Sequence, residues 1–285
     1  MADRTVLVAG AGSAVGRATA LTFREDGWTV YAAAREQGDV ADLSEYGVVT
    51  DELDVTDDAD VRRAIKRVAT NEGRLDCVAF DPRGTGFGPL AELDPDDARA
   101  AVEESAFALQ RLAHEAVPHL REAEGTLVAV SSAFGRFAAP GTGAFAAGHA
   151  ATGAMADALR AETADAVDVT VVEPSLVDDG TRQAAADAAR AGEDTDGDGV
   201  DSGDENSHGE YAWVRDALGD FATFGEGGLL GTSPGAVAAA VVDAAVVSDP
   251  APRSPVGGAA KWLAVARYLP DRWRDAAFAV VRRLP

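Results

Sequence analysis

A short apolar segment near the start of the chain runs directly into a glycine-rich turn. Residues 5–9 form the segment, and Gly10, Gly12, Ser13 and Gly16 follow it at once. A buried strand that turns sharply into a helix uses glycine there, and the first helical turn offers its N–H groups to a phosphate. The segment therefore predicts a pyrophosphate-binding turn, with a purely structural glycine turn as the alternative.

Apolar runs and helical periodicities alternate along most of the chain. The predicted strands lie near residues 5–9, 28–33, 48–53, 75–80, 125–131, 167–172 and 254–256. The predicted helices lie near 17–26, from Asp57 onward, at 95–120 with a bend at Pro118, and at 144–163 and 234–247. Short connections between these elements predict an α/β fold, a doubly wound parallel sheet of Rossmann type. With 285 residues and 47% hydrophobic content, one domain over residues 1–285 is expected.

The alternation breaks at residues 187–210, where Asp, Glu, Gly and Ala dominate. This composition predicts a flexible acidic insertion, with order returning at Tyr211. Four carboxylates within it match the spacing of a calcium-binding loop: Asp194, Asp196, Asp198 and Glu205. Because Asp201 stands where such a loop needs an apolar residue, we favour a solvating segment without a metal.

Charge is distributed unevenly along the chain. The formal net charge is −23, and only Lys66 and Lys261 are lysine, which resembles haloarchaeal proteins that stay soluble in high salt. Such a surface argues against nucleic acid as a partner. The segment 261–285 is basic and amphipathic, so it is expected to pack on its own acidic domain, to rest on a membrane surface or to contact a partner.

The cysteine content and the positions of the apolar segments indicate the cellular compartment. Cys77 is the single cysteine, so an intramolecular disulfide is excluded and a reducing compartment is expected. The first strand begins too early to leave room for a signal peptide, and no apolar run is long enough for a transmembrane helix. We expect a cytoplasmic homo-oligomer whose partner is a small-molecule substrate or another protein.

Taken together, these segments resemble the short-chain dehydrogenase/reductase family over nearly the whole chain. The turn keeps the outer glycines of that family's Thr-Gly-x-x-x-Gly-x-Gly motif and has Ala14 at the middle one. Asp54 and Val55 match the pair that faces the adenine ring, although Asp54 alone also suits a helix cap. Pro174 matches the proline after the sixth strand. Arg35 ends the second strand without a carboxylate there, which implies NADP rather than NAD, unless Arg35 is merely solvated.

The catalytic positions are where the resemblance fails. The family uses Asn, Ser, Tyr and Lys, and here Ser132 keeps the serine while Ser105, Phe145 and His149 stand at the other three positions. A phenyl ring has no proton to exchange. His149, one helical turn from Phe145, is either a substitute proton carrier, a contact to the cofactor ribose or a structural residue. The resemblance implies an oxidoreductase on a carbonyl or alcohol with altered proton transfer, or a non-catalytic nucleotide-binding protein.

Overall fold

A seven-stranded parallel sheet forms the centre of the protein. The computed structural model describes residues 4–82, 84–177, 185–187, 211–223 and 231–281, with side chains throughout except at 219–223, 277, 280 and 281. The strands are β1 (Thr5–Ala9), β2 (Thr29–Ala34), β3 (Val49–Glu52), β4 (Cys77–Phe80), β5 (Thr126–Val130), β6 (Asp168–Pro174), β7 (Leu176–Val177), β8 (Gly231–Thr232) and β9 (Arg253–Val256). The sheet has the order β3-β2-β1-β4-β5-β6-β9, and every neighbouring pair is parallel. The predicted Rossmann-type fold is confirmed.

Helices cover both faces of this sheet. They are α1 (Ala14–Glu25), α2 (Asp58–Glu72), α3 (Pro95–Val102), α4 (Ala108–Ala123), α5 (Gly143–Thr163), α6 (Ala212–Thr223), α7 (Pro234–Val246), α8 (Gly258–Ala266) and α9 (Asp271–Val281). Buried side chains of α2, α4 and α5 pack on one face, and those of α1 and α7 on the other. Leu7 and Val8, adjacent in β1, belong to opposite clusters because successive strand residues point to opposite faces. A strand buried on both faces is therefore a nearly continuous apolar run.

Side-chain caps fix where the helices after the strands begin. Ser13 accepts a hydrogen bond from the Gly16 N–H at 2.8 Å, at the start of α1. Asp57 accepts from the N–H groups of Ala59 and Asp60 at the start of α2. These bonds satisfy N–H groups that have no partner within their own helix.

The long helix predicted at 95–120 is divided in the structure. A π-helical turn at Glu103–Phe107 separates α3 from α4, and Pro118 lies inside α4. Ser105 Oγ donates a hydrogen bond to the Ala101 carbonyl at 2.5 Å. This side chain therefore competes with the backbone N–H groups for a carbonyl of the helix. The interruption therefore lies at Glu103–Phe107, and the apolar periodicity of this region does not indicate it.

The predicted acidic insertion lies almost wholly outside the described residues, since only Asp187 is described. The four candidate calcium ligands also lie outside them: Asp194, Asp196, Asp198 and Glu205. Among the described residues, no three potential metal-ligating side chains form a group. β7 pairs with β8, so residues 176–177 and residues 231–232 are neighbours.

The C-terminal segment packs on the domain by one face. α8 buries Ala259 and Ala260, and its Leu263 contacts a cluster of apolar side chains. In α9, the Phe278 ring centroid lies 5.6 Å from that of Phe137. The segment thus covers part of its own domain. Within the described ranges, no helix has the length and apolarity that crossing a bilayer requires.

Candidate functional site

The candidate site lies at the carboxyl ends of the parallel strands. β1 is flanked by β2 on one side and β4 on the other, so the strand order reverses beside the glycine-rich turn. In open α/β sheets this reversal opens a crevice at the strand ends, and ligands bind there. The predicted cofactor and catalytic residues are distributed around that edge.

The glycine-rich turn has a structural requirement for glycine. Gly10 has φ +93°, and a Cβ atom on it would collide with the carbonyl oxygen of Asp81. A Cβ atom on Gly16 would collide with the Gly10 carbonyl. Both glycines are therefore needed by the backbone itself, and the same close packing presents the first turn of α1 at the site. A structural requirement for glycine and a role in pyrophosphate binding are therefore compatible at this turn.

A carboxylate lies against this turn from the neighbouring strand. Ser13 Oγ, which caps α1, donates a hydrogen bond to the carboxylate of Asp81. Asp81 follows β4 and is largely buried. Asp81 had no predicted role, although its position directly after a buried strand marks it as belonging to this edge of the sheet.

A second carboxylate lies at the end of β2, where the sequence analysis expected none. Asp39 closes a short helical turn at Gln37–Asp39. A Cβ atom built on Gly12 would lie 3.3 Å from an Asp39 carboxylate oxygen and 3.2 Å from the Ala34 Cβ. Gly12 therefore makes room for Asp39, and the expectation of a carboxylate-free strand end is corrected. The turn after β2 brings the side chain back to the edge, which spacing alone does not reveal.

Arg35 lies between two carboxylates. Its Nη2 atom is 3.0 Å from Glu104 Oε1, and its Nε atom is 3.3 Å from Asp54 Oδ2. Burial lowers the pKa of Arg35, but the hydrogen bond and charge of Glu104, followed by those of Asp54, outweigh it and raise the pKa overall. The structure thus brings Arg35 and Asp54 into contact, which the sequence did not predict, and Glu104 reaches Arg35 from the π-helical turn.

Asp54 also holds a local turn, whereas the side chain that caps α2 is Asp57. It accepts hydrogen bonds from the Thr56 N–H at 2.9 Å and the Thr56 hydroxyl at 2.7 Å. Burial raises the pKa of Asp54, but these two bonds and the charge of Arg35 lower it overall, so the carboxylate stays ionised. Val55 is partly buried against the core beside it.

The position of the family tyrosine is filled by an aromatic cluster. The Phe145 ring stacks on Phe87 with centroids 4.7 Å apart, and it meets His149 edge-on at 4.3 Å. Phe134 and Leu218 belong to the same buried cluster. Between this cluster and Ser132 remains a cavity of about 30 Å³, also lined by Pro174 and His149, which has room for one or two water molecules.

His149 is buried and lacks a hydrogen bond at one nitrogen. Its side chain is 6% exposed overall, and Nδ1 has no hydrogen-bond partner among the described residues. Its backbone carbonyl accepts a hydrogen bond from Ser131 Oγ at 3.2 Å. Burial lowers the pKa of His149 to about 4, because the charged imidazolium is disfavoured away from water. The side chain is therefore neutral at pH 7.

The two serines have local partners. Ser132 Oγ accepts a hydrogen bond from the Phe134 N–H at 3.3 Å and caps the short helical turn after β5. Ser105 is buried, bonds to Ala101 as described, and lies directly against Gly148 of α5. Ser132 thus lines the small cavity, whereas the Ser105 hydroxyl is taken up by the helix backbone.

A larger cavity of about 410 Å³ lies behind His149 and is lined by charged residues that the sequence analysis missed. Glu173 of β6 is 2% exposed and pairs with Arg136 at 2.7 Å and with Arg253 at 2.7 Å. Arg253 of β9 also pairs with Asp157 of α5 at 2.6 Å. This ion-pair network joins elements that are far apart in the chain, so no local sequence motif predicts it.

The comparisons with known proteins agree on the family. A family model described as short chain dehydrogenase matches residues 4–190. The uncharacterized oxidoreductase YbbO of Escherichia coli K12 is 29% identical over 178 residues, covering 61% of this chain and 66% of that protein. The NADPH-dependent 1-acyldihydroxyacetone phosphate reductase of Schizosaccharomyces pombe is 29% identical over 165 residues, covering 57% of this chain and 56% of that protein. The chain thus spans less than two thirds of the length of these curated relatives.

Solved structures give the same fold. A short-chain dehydrogenase from Streptomyces avermitilis superposes with a TM-score of 0.75 at 24% identity, over 99% of this chain and 98% of that one. A short-chain dehydrogenase from Shigella flexneri 2a, solved in complex with NADP, superposes with a TM-score of 0.61 at 25% identity, over 65% of this chain and 82% of that one.

Proposed function

The chain belongs to the short-chain dehydrogenase family, and from that premise we propose that it binds a nicotinamide dinucleotide, with NADP(H) preferred to NAD(H). The residues present fit such a group, because Gly10, Ser13 and Gly16 bring the start of α1 to the strand edge and His149 offers a buried nitrogen without a partner. In this proposal Gly12 also lies along the pyrophosphate, while Asp54 and Val55 lie along the adenine.

The preference for NADP(H) depends on Arg35. Its guanidinium lies at the end of β2 and is about one-third exposed, so a 2′-phosphate has access to it. Glu104 and Asp54 already hold it, and Asp39 adds a negative charge near Gly12. We therefore propose that Arg35 leaves Glu104 for the phosphate on binding, and that this exchange reduces the affinity for NADP(H) without abolishing it.

The standard proton transfer of the family is absent in this proposal. A bound nicotinamide supplies or accepts a hydride, but reduction of a carbonyl also needs a proton at the substrate oxygen. The observation that carries the proposal is the position of Phe145, which is packed between Phe87 and His149 where a proton donor is needed. We propose a nucleotide-binding protein in which this side chain offers no proton to a substrate.

One observation favours a second candidate function, an alcohol oxidation. The neutral His149 imidazole has a buried Nδ1 atom without a partner and lines the small cavity beside Ser132. A neutral imidazole accepts protons, so it would act as the base that takes the hydroxyl proton of an alcohol. Its lowered pKa makes it a weak base, which is why this candidate is second.

Two measurements test the proposal. Fluorescence titration with NADPH and with NADH in molar KCl gives both affinities, and micromolar or tighter NADPH binding with weaker NADH binding is expected. A screen of aldehydes, ketones and alcohols then measures turnover. Turnover that disappears in His149→Ala would establish the second candidate, whereas a folded protein that binds neither nucleotide would overturn both.

Further features of the molecule are proposed on composition. We propose one domain over residues 1–285 with an acidic insertion at about 187–210, assembled as a homo-oligomer. The net charge of −23 favours a salt-rich environment, and the buried Cys77 suits a reducing cytoplasm.

A further inference from the structure

The C-terminal helices expose an unusual concentration of large apolar side chains. Ten large apolar residues are exposed in the described part of the chain, and five of them lie between positions 262 and 273. We call these five the C-terminal aromatic surface: Trp262, Val265, Tyr268, Leu269 and Trp273. Trp262, Tyr268 and Trp273 are each at least 70% exposed. Single exposed apolar residues are ordinary, but a contiguous group marks an interaction site.

The packing of α8 shows that this surface is separate from the core. The helix turns small residues, Ala259 and Ala260, toward the domain and adds Leu263 at the margin of an apolar cluster. Trp262 and Val265 lie three positions apart and therefore share the opposite side of the helix. An amphipathic helix normally buries its largest apolar residues. Here the largest ones face outward, so their apolar area is available to a partner.

The charge around this surface identifies the kind of partner. Between residues 261 and 275 there are four basic side chains and two acidic ones, in a chain whose net charge is −23. Arg267 lies over the Tyr268 ring at 5.2 Å, and Arg274 pairs with Asp271. The partner must therefore accept aromatic rings and positive charge together. An anionic bilayer does both at its headgroup level, where Trp and Tyr prefer to lie and where Arg and Lys meet phosphates.

We propose that the C-terminal aromatic surface docks the protein on an anionic lipid bilayer, with α8 and α9 lying along the interface. The helices rest on the membrane without crossing it, since neither is longer than 11 residues. The acidic remainder of the chain is repelled by the same lipids, which leaves this surface as the side that approaches them. In molar salt, charge is screened within a few ångströms, so the aromatic side chains provide most of the affinity and the basic ones the preference for anionic lipid.

Vesicle binding tests the proposal on the full chain. Co-sedimentation in molar KCl compares phosphatidylglycerol vesicles with phosphatidylcholine vesicles, and stronger binding to phosphatidylglycerol is expected. The double variant Trp262→Ser/Trp273→Ser is expected to lower the partition coefficient by about tenfold or more, since interfacial binding scales with buried apolar area. The matched control is Tyr46→Ser, which removes an aromatic residue that is 58% exposed elsewhere on the domain. It should bind like the wild type.

Tryptophan fluorescence gives a readout that does not depend on sedimentation. Brominated lipid should quench Trp262 and Trp273, whereas Trp28, which is 4% exposed in the core, should stay unquenched. Circular dichroism checks that each variant is folded. Absence of vesicle binding by the folded wild type, or equal binding by the double variant, overturns the proposal. It is also overturned if the double substitution dissociates an oligomer in light scattering without vesicles, because the surface is then an interface between copies of the chain.

Discussion

The guanidinium of Arg35 lies 3.0 Å from the carboxylate of Glu104, a residue that reaches it from the π-helical turn between α3 and α4. This contact occupies the group that the proposed 2′-phosphate needs. Cofactor preference is therefore expected to depend on Glu104 as well as on Arg35.

Glu104→Gln should tighten NADPH binding by about five- to tenfold, because a partly exposed ion pair that competes with the ligand is worth about 1 kcal/mol. NADH binding should change little, since NADH has no 2′-phosphate. The comparison variant is Arg35→Asp, which should weaken NADPH binding far more than NADH binding. Fluorescence titration of the wild type and both variants in molar KCl measures all six affinities. If the wild type binds NADH as tightly as NADPH, the assignment of Arg35 is wrong.

Restoring the family pair should restore turnover. Phe145→Tyr with His149→Lys places a phenol and an ammonium one helical turn apart on α5, and general acid–base assistance of this kind is worth about 10² to 10⁴ in rate. Reduction of a panel of aldehydes by NADPH is the assay. Phe145→Tyr alone is the control and should recover less, since no cation lies near its hydroxyl. A double variant that is folded, binds NADPH and stays inactive would mean that more than proton transfer has been lost.

The burial of His149 predicts how stability varies with pH. The pKa is about 4 in the folded protein and about 6.5 in the unfolded chain, so below pH 6.5 the unfolded state binds a proton that the folded state refuses. Stability contributed by neutral His149 is therefore complete above pH 6.5 and falls as the pH drops toward 4, by about 3 kcal/mol at most.

Thermal or denaturant unfolding between pH 4 and pH 8 checks this. His149→Gln should remove this part of the pH dependence, whereas His114→Gln, at an exposed site on α4, should keep it. Equal pH profiles for the wild type and the His149 variant would show that the histidine is not buried in its neutral form.

Removal of residues 187–210 should leave the fold intact. The segment has too few apolar residues to offset the entropy of ordering them. The β7–β8 pair holds residues 176–177 beside residues 231–232, and shortening the connection between them changes the entropy of loop closure only slowly. Calorimetry in molar KCl should give nearly the same Tm for the full chain and the deletion variant. A large drop in Tm, or a wild-type Tm that rises with calcium and reverts with a chelator, would favour the ion-binding alternative.

Local patterns in the sequence carried the prediction of the architecture. Apolar runs located the central strands because both faces of those strands are buried. The candidate residues Ser132, Phe145 and His149, chosen from the motif spacing, line one small cavity, and their roles stay predictions. Arg35 and Asp54 were each predicted to contact the cofactor, and their contact with each other was not predicted.

The unpredicted parts of the site depend on contacts between distant segments. Glu104 and Asp39 reach the strand edge through turns whose geometry no periodicity encodes. Asp81 follows β4 directly, but its hydrogen bond with Ser13 joins two distant segments of the chain. The π-helical turn was also not predicted, and there the Ser105 hydroxyl bonds the Ala101 carbonyl.

The pairing of Glu173 with Arg253 means that the region matched by the family model is not a self-sufficient folding unit. That region ends at residue 190, yet the last strand of the sheet, β9, begins at Arg253. A fragment ending at residue 190 would expose β6 as an open edge and leave Glu173 with one of its two cationic partners. Losing a partner of a buried charge costs about 3 to 5 kcal/mol, and an open edge recruits other chains. Such a fragment would aggregate.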